Sequence, residues 1–273
     1  MNEQLHTYGI ERNLTGIATI QDNINRQSPA IILLNAGVIH KVGPFDFNIS
    51  FARKLSSEDY LVFRFDISGL GDSDKIKDGT TYNEVVMNDL KQTMTFIEEK
   101  YDVNKFVVIG LCTGADHAHK IACQDSRVVG NVWLDGYGYP TTKYKLIRYA
   151  PVFLNPKRFV NALKKYFSTS NKDVLSTKGV DDYVWELPSK DQYINDMKLL
   201  YERDVKCLYI YSGGVTSYFN YRQQFEDSFK GCHFLKNIEV TYYPEFDHTF
   251  ILLKDRMRMI KRVSEWLNKN SFI

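Results

Sequence analysis

The chain has 273 residues, 44% of them hydrophobic and 25% charged. That profile supplies a large core and excludes disorder, collagen and coiled coil. A net charge of +2, from 35 basic and 33 acidic residues, gives no general argument for nucleic acid and leaves only local basic patches to consider.

At the N-terminus no basic segment precedes an apolar one, so no secretory signal is read there. Residues 14–20 alternate weakly and read as a strand of an N-terminal hairpin. Residues 30–34 form a continuous apolar run ending at Asn35-Ala36-Gly37, as a buried strand would. Helical spacing follows over 47–55. A second buried strand covers 60–65, and 82–101 is a long helix with Val86, Leu90, Met94 and Ile97 on one face. The strand at 106–109 runs at once into Gly110-Leu111-Cys112-Thr113-Gly114 and a helix to about residue 123. Further strands are expected at 128–134, 205–211 and 238–243, with a terminal amphipathic helix at 256–267. Strands separated by helices imply parallel pairing and right-handed crossovers.

No apolar run is long enough to span a bilayer. Cysteines 112, 123, 207 and 232 form no CxxC pair, which points to a reducing, cytoplasmic setting. Between residues 134 and 205 no strand is predicted, and Pro140, Pro151, Pro156 and Pro188 interrupt the segment. It reads either as an ordinary helical excursion or as a cap over the carboxyl end of the sheet, where open α/β sheets bind ligands. The expected organisation is a core of residues 1–139 and 205–273 with a helical cap at 140–204.

Gly110–Gly114 has the form G-x-nucleophile-x-G, with cysteine in the middle. A strand-to-helix turn this sharp strains its central residue and needs small flanks so that strand and helix can approach. It leaves the thiol at a helix N-terminus, where the dipole favours thiolate. The Thr113 amide then points where a carbonyl oxygen becomes an oxyanion. The competing reading is a buried structural cysteine between two packing glycines. His248, just beyond the last strand, is the candidate base; the competing reading is a surface-turn histidine. His117 and His119 are two apart on one helix and make a poor metal pair. His233 is at the wrong end of the sheet, and His40, on the loop after the first parallel strand, is a candidate substrate contact.

These segments resemble the α/β-hydrolase superfamily over nearly the whole chain. Leu33–Gly37 is similar to the oxyanion-loop segment, and 65–73 (FDISGLGDS) to the D-x-R-G-x-G-x-S segment of peptidase-, esterase- and thioesterase-like members. Gly110–Gly114 resembles the nucleophile elbow and Asp247-His248 the histidine loop. The elbow followed by alanine is most similar to bacterial serine-aminopeptidase-like or exosortase-associated hydrolases. The resemblance implies an α/β-hydrolase fold: a mostly parallel central sheet flanked by helices, with a helical cap insertion. It also implies a site of Cys112 and His248, with an oxyanion hole from Thr113 and an amide near Ala36 and Gly37. The family's usual acid position, after the strand at 205–211, holds only Ser212-Gly213-Gly214. Asp135, at the end of the preceding strand, is the alternative that some members use. Asp247 adjoins His248 and should diverge from it, and Asp66 reads as a loop tie. A dyad with no acid also stays open, because a thiol needs less help than a hydroxyl.

A cysteine nucleophile tilts the reading towards thioesterase or acyltransferase chemistry. From Thr141 to Lys172 there is no acidic residue, whereas Lys143, Lys145, Arg148, Lys157, Arg158, Lys164, Lys165 and Lys172 all fall inside it among aromatic residues. This is either a solvated helical face or a docking surface for an acyl carrier protein or the phosphates of coenzyme A, with Lys157 and Arg158 as candidate contacts. No metal or redox cofactor, nucleic acid or membrane span is implied. The expected function is acyl transfer through acyl-Cys112. The alternatives are an ester or peptide hydrolase of small substrates, and an inactive binding protein on a hydrolase scaffold.

Overall fold

The structure is a computed structural model that describes residues 1–22, 25–75, 81–153, 187–270 and 272. Its centre is an eight-stranded sheet in the order β1-β2-β4-β3-β5-β6-β7-β8. The strands are β1 (Asn2–Tyr8), β2 (Leu14–Ile20), β3 (Ala30–Leu33), β4 (Val62–Phe65), β5 (Phe106–Leu111), β6 (Val128–Leu134), β7 (Lys206–Ser212) and β8 (Ile238–Tyr243). The β1–β2 hairpin and the β2–β4 pair are antiparallel; every other pair is parallel.

The continuous apolar runs are explained by burial on both faces. Ala30, Ile32, Phe106, Val108, Trp133 and Tyr209 face one core, while Ile31, Leu33, Val107, Ile109, Val132 and Leu208 face the other. Helices α1 (Phe47–Ser56) and α7 (Leu253–Asn270) cover the second core. Helices α2 (Tyr82–Tyr101), α3 (Thr113–Gln124) and α5 (Lys190–Glu202) cover the first. Two shorter helices, α4 (Thr142–Phe153) and α6 (Gln224–Ser228), sit in the connections after β6 and β7. The start of α2 is fixed by a capping box: the Thr81 hydroxyl accepts from the Glu84 amide, and the Glu84 carboxylate accepts from the Thr81 amide. No helix among the described residues is long and apolar enough to cross a membrane.

Two expectations change. Helix α5 lies within the segment expected as cap, 140–204, yet it packs on the sheet. Its Tyr193, Met197 and Leu200 are buried with Trp133 and Tyr209. It is the crossover helix that the parallel β6–β7 pair requires, with Ser189 as its N-cap. Strand β5 also runs two residues further than expected. Gly110 and Leu111 pair with Trp133 and Leu134, and this carries the strand to the edge of the elbow.

Candidate active site

Cys112 stands between β5 and α3 with φ +57° and ψ −118°, a strained conformation for a residue with a side chain. Close packing holds it there. A Cβ on Gly110 would lie 2.0 Å from the Gly114 carbonyl oxygen, and one on Gly114 would lie 2.5 Å from that of Asn35. Both positions therefore exclude any side chain. The turn is pinned by the Cys112 amide on the Leu134 carbonyl, 2.9 Å, and the Ala115 amide on the Cys112 carbonyl, 3.0 Å. The thiol is half-buried at the start of α3.

His248 reaches this thiol from the loop after β8. Its Nδ1 donates to Asp135 Oδ2 at 2.9 Å, and the Cys112 side chain lies close enough to act on the ring. With Nδ1 engaged, the nitrogen facing sulfur is Nε2. The bond to Asp135 foremost, and then the neighbouring Cys112 side chain, raises the imidazole pKa from its usual 6.5 to about 10 against the opposing effect of burial. The His248 and Asp135 side chains expected to act together are thus in contact, with Cys112 beside the ring.

Asp135 is 1% exposed and has φ +51° at the end of β6. Its carboxylate accepts from the Ser212 amide and the Ser212 hydroxyl, both at 2.6 Å, and the Tyr218 hydroxyl donates to its carbonyl at 3.0 Å. Ser212, at the position where the resemblance implies an acid, therefore holds the Asp135 carboxylate instead. Neither Ser212 nor Tyr218 was identified from the sequence. The available signal was Ser212-Gly213-Gly214 in place of a carboxylate. A Cβ on Gly214 would lie 2.4 Å from the His248 amide nitrogen, so the glycine lets the histidine loop pass. Asp247 points elsewhere and caps the Thr249 and Ile251 amides at 2.8 and 3.0 Å.

The loop after β3 is tied to Asp66, as expected of that residue. Asp66 Oδ1 accepts from Asn35 Nδ2 at 3.2 Å and from the Lys41 amide at 2.6 Å. Its Oδ2 accepts from Lys41 Nζ at 2.7 Å and from the Asp72 amide at 3.0 Å. Burial works against the charge on Lys41, but its bonds to Asp66 and Asp72 prevail and raise its pKa. Removing one partner of a buried ion pair leaves the other uncompensated. Lys41→Met is therefore expected to cost about 3 kcal/mol or more of unfolding free energy. Adding Asp66→Asn should recover part of that loss by removing the stranded charge. Urea denaturation at neutral pH measures both, and a loss below ~1 kcal/mol for Lys41→Met would contradict the assignment.

The expected oxyanion donors lie at this loop and at the elbow. Thr113 opens α3, and Ala36 and Gly37 follow β3. The Gly37 amide, however, donates to the Thr113 hydroxyl at 2.7 Å, which couples the two halves of the expected hole. His40 is solvent-exposed on the same loop, accepting a long 3.5 Å bond from the Val42 amide. Lys157 and Arg158 lie outside the described residues. Of the cap's basic residues, Lys143, Lys145 and Arg148 are exposed on α4 beside exposed Leu146, Ile147 and Tyr149. His117 is buried, and burial pushes its pKa down to about 3. The His119 ring meets Asp196 and Cys123.

Residues 29–202 match the family model described as the alpha/beta hydrolase fold. The chain belongs to that family. Solved α/β-hydrolase-type structures are similar over nearly the full length. The proline iminopeptidase of Mycobacterium smegmatis superposes with a TM-score of 0.61 at 11% identity, covering 99% of each chain. An esterase of Pyrococcus furiosus, Pf2001, gives 0.62 at 18% identity, covering 98% of this chain and 91% of that one. A putative dienelactone hydrolase of Klebsiella pneumoniae gives 0.55 at 12% identity, covering 93% and 92%. At these identities the likeness is one of fold. No curated protein matches the sequence.

Proposed function

We propose that this α/β-hydrolase is an acyl-transfer enzyme, a thioesterase or acyltransferase, that carries its acyl group as a thioester on Cys112. The observation behind this reading is one imidazole bonded to a buried carboxylate and set beside the thiol at the elbow. His248 takes the thiol proton, and its raised pKa favours that transfer. The thiolate adds to the acyl carbonyl, and the negative oxygen is received by the Thr113 amide and the Ala36–Gly37 loop. Collapse expels the donor's leaving group, which takes the proton from His248. Water or an acceptor thiol, amine or alcohol then attacks the thioester while His248 removes its proton, and Cys112 leaves as thiolate. Asp135 orients the ring and stabilises its cation. Asp135 in this contact supports the enzyme reading over an inactive scaffold, whose motive was the missing acid after β7.

In the same proposal the acyl group arrives in the cytoplasm on an acyl carrier protein or coenzyme A. The basic stretch would form part of the cap, within 140–204 but without helix α5. Exposed Lys143, Lys145 and Arg148 beside apolar side chains support an acidic, partly apolar donor. The test is intact-mass analysis after incubation with acyl-coenzyme A, acyl carrier protein and the matching p-nitrophenyl ester. The proposal expects a single acyl adduct on Cys112 and faster turnover of the thioesters. Preference for the oxygen ester, with no gain from a charged carrier, would favour the small-substrate hydrolase. No adduct from any donor and no labelling of Cys112 by iodoacetamide would favour the inactive scaffold.

A further inference from the structure

We propose that His119, Cys123 and Asp196 form a binding site for a zinc-type divalent transition-metal ion at the seam of α3 and α5. His119 and Cys123 are one helical turn apart and share a face of α3, and Asp196 comes from α5 packed against it. His119 Nε2 is 3.2 Å from Asp196 Oδ2 and 3.9 Å from Cys123 Sγ, and the three donor atoms lie within 4.8 Å of one another. Ordinary zinc bond lengths at a tetrahedral angle put donor atoms about 3.3–3.6 Å apart. Small side-chain rotations bring this set to that spacing.

The donor chemistry selects the metal. Imidazole nitrogen, thiolate sulfur and one carboxylate suit zinc or cobalt, whereas magnesium and calcium take oxygen ligands. Two anionic ligands cancel the charge of a dication, so the complex is neutral at a half-buried position. The His119 ring is 3% exposed and held between Trp133 and Tyr193, at centroid distances of 5.4 and 5.3 Å, with Nε2 turned to the seam. A metal also has access. His119 and Asp196 border a cleft of about 380 Å³ shared with Gln192 and Ser189, and Cys123 and Asp196 border a second of about 690 Å³. An open fourth position is left to water. Binding replaces the S–H bond with an S–metal bond and releases one proton to solvent.

Cys112, His248 and Asp135 offer a similar donor set, so the experiment separates the two. Chelator-stripped, reduced full-length protein is titrated with Co²⁺ and then with Zn²⁺ as competitor. The expected result is one Co²⁺ per chain with a near-ultraviolet thiolate-to-cobalt charge-transfer band. The band should persist in Cys112→Ser, vanish in Cys123→Ser and be displaced by Zn²⁺. Co²⁺ affinity should fall at least about tenfold in His119→Ala and in Asp196→Asn. In the parent protein, independent of any variant's folding, Zn²⁺ should protect Cys123 from iodoacetamide, read by peptide mass. Absence of the band, a band that survives Cys123→Ser, or alkylation of Cys123 unchanged by Zn²⁺ would each overturn the site.

Discussion

Cys112→Ala protein is expected to fold as the parent does and to lose turnover by at least about 10⁴-fold, with no acyl adduct by intact mass. The thiol is half-buried at the mouth of the elbow, so its removal opens no core cavity. The strained turn is held by Gly110, Gly114 and the backbone bonds of Cys112, none of which depends on sulfur. Cys112→Ser should be nearly as poor. A hydroxyl has a far higher pKa than a thiol, so His248 activates it poorly. Parent-like kcat/KM in Cys112→Ala, with an unchanged melting curve, would remove Cys112 from the chemistry.

His248→Ala is expected to lower kcat/KM by about 10³- to 10⁴-fold, and Asp135→Asn by about 10²-fold. In the proposed mechanism the histidine moves the proton, whereas the carboxylate only holds the ring and its charge. The pH profile distinguishes the roles. In the parent, His248 keeps its proton until about pH 10, so the alkaline limb governed by this general acid should fall there. The bond to Asp135 is the largest cause of that raised pKa, so Asp135→Asn should draw the limb down towards the usual histidine range. The same proton stabilises the fold, because the folded state binds it more tightly than the unfolded one. That contribution is complete below about pH 6.5 and is lost as pH climbs through about 10. An Asp135→Asn profile that superposes on the parent's would show that another group sets the limb.

Much of this architecture could be read from residue order. Runs such as Ile31–Leu33 and Val107–Ile109 lack polar alternation because both faces of the sheet are covered, and this pattern distinguishes parallel strands from hairpins in the sequence. The spacing of Val86, Leu90, Met94 and Ile97 marked α2 over its full observed extent. The elbow was legible because its requirements are local: two glycines, a nucleophile between them, a strand before and a helix after.

Other features depend on contacts far apart in the chain, and only the folded molecule determined them. Helix α5 shows its amphipathic face in Tyr193, Met197 and Leu200, but its docking on Trp133 and Tyr209 decides that it belongs to the core and not the cap. The acid had three candidates in sequence. Asp135 is the one that meets His248, because β6 and β7 are neighbours and the amide and hydroxyl of Ser212, 77 residues away, hold its carboxylate. The junction of Gly37 with Thr113 and the gathering of His119, Cys123 and Asp196 have the same origin. Spacing along the chain specifies what one helix or strand presents to its surroundings. Which carboxylate meets which imidazole is decided by strand order and helix packing, because hydrogen bonds act over about 3 Å, whatever the separation in sequence.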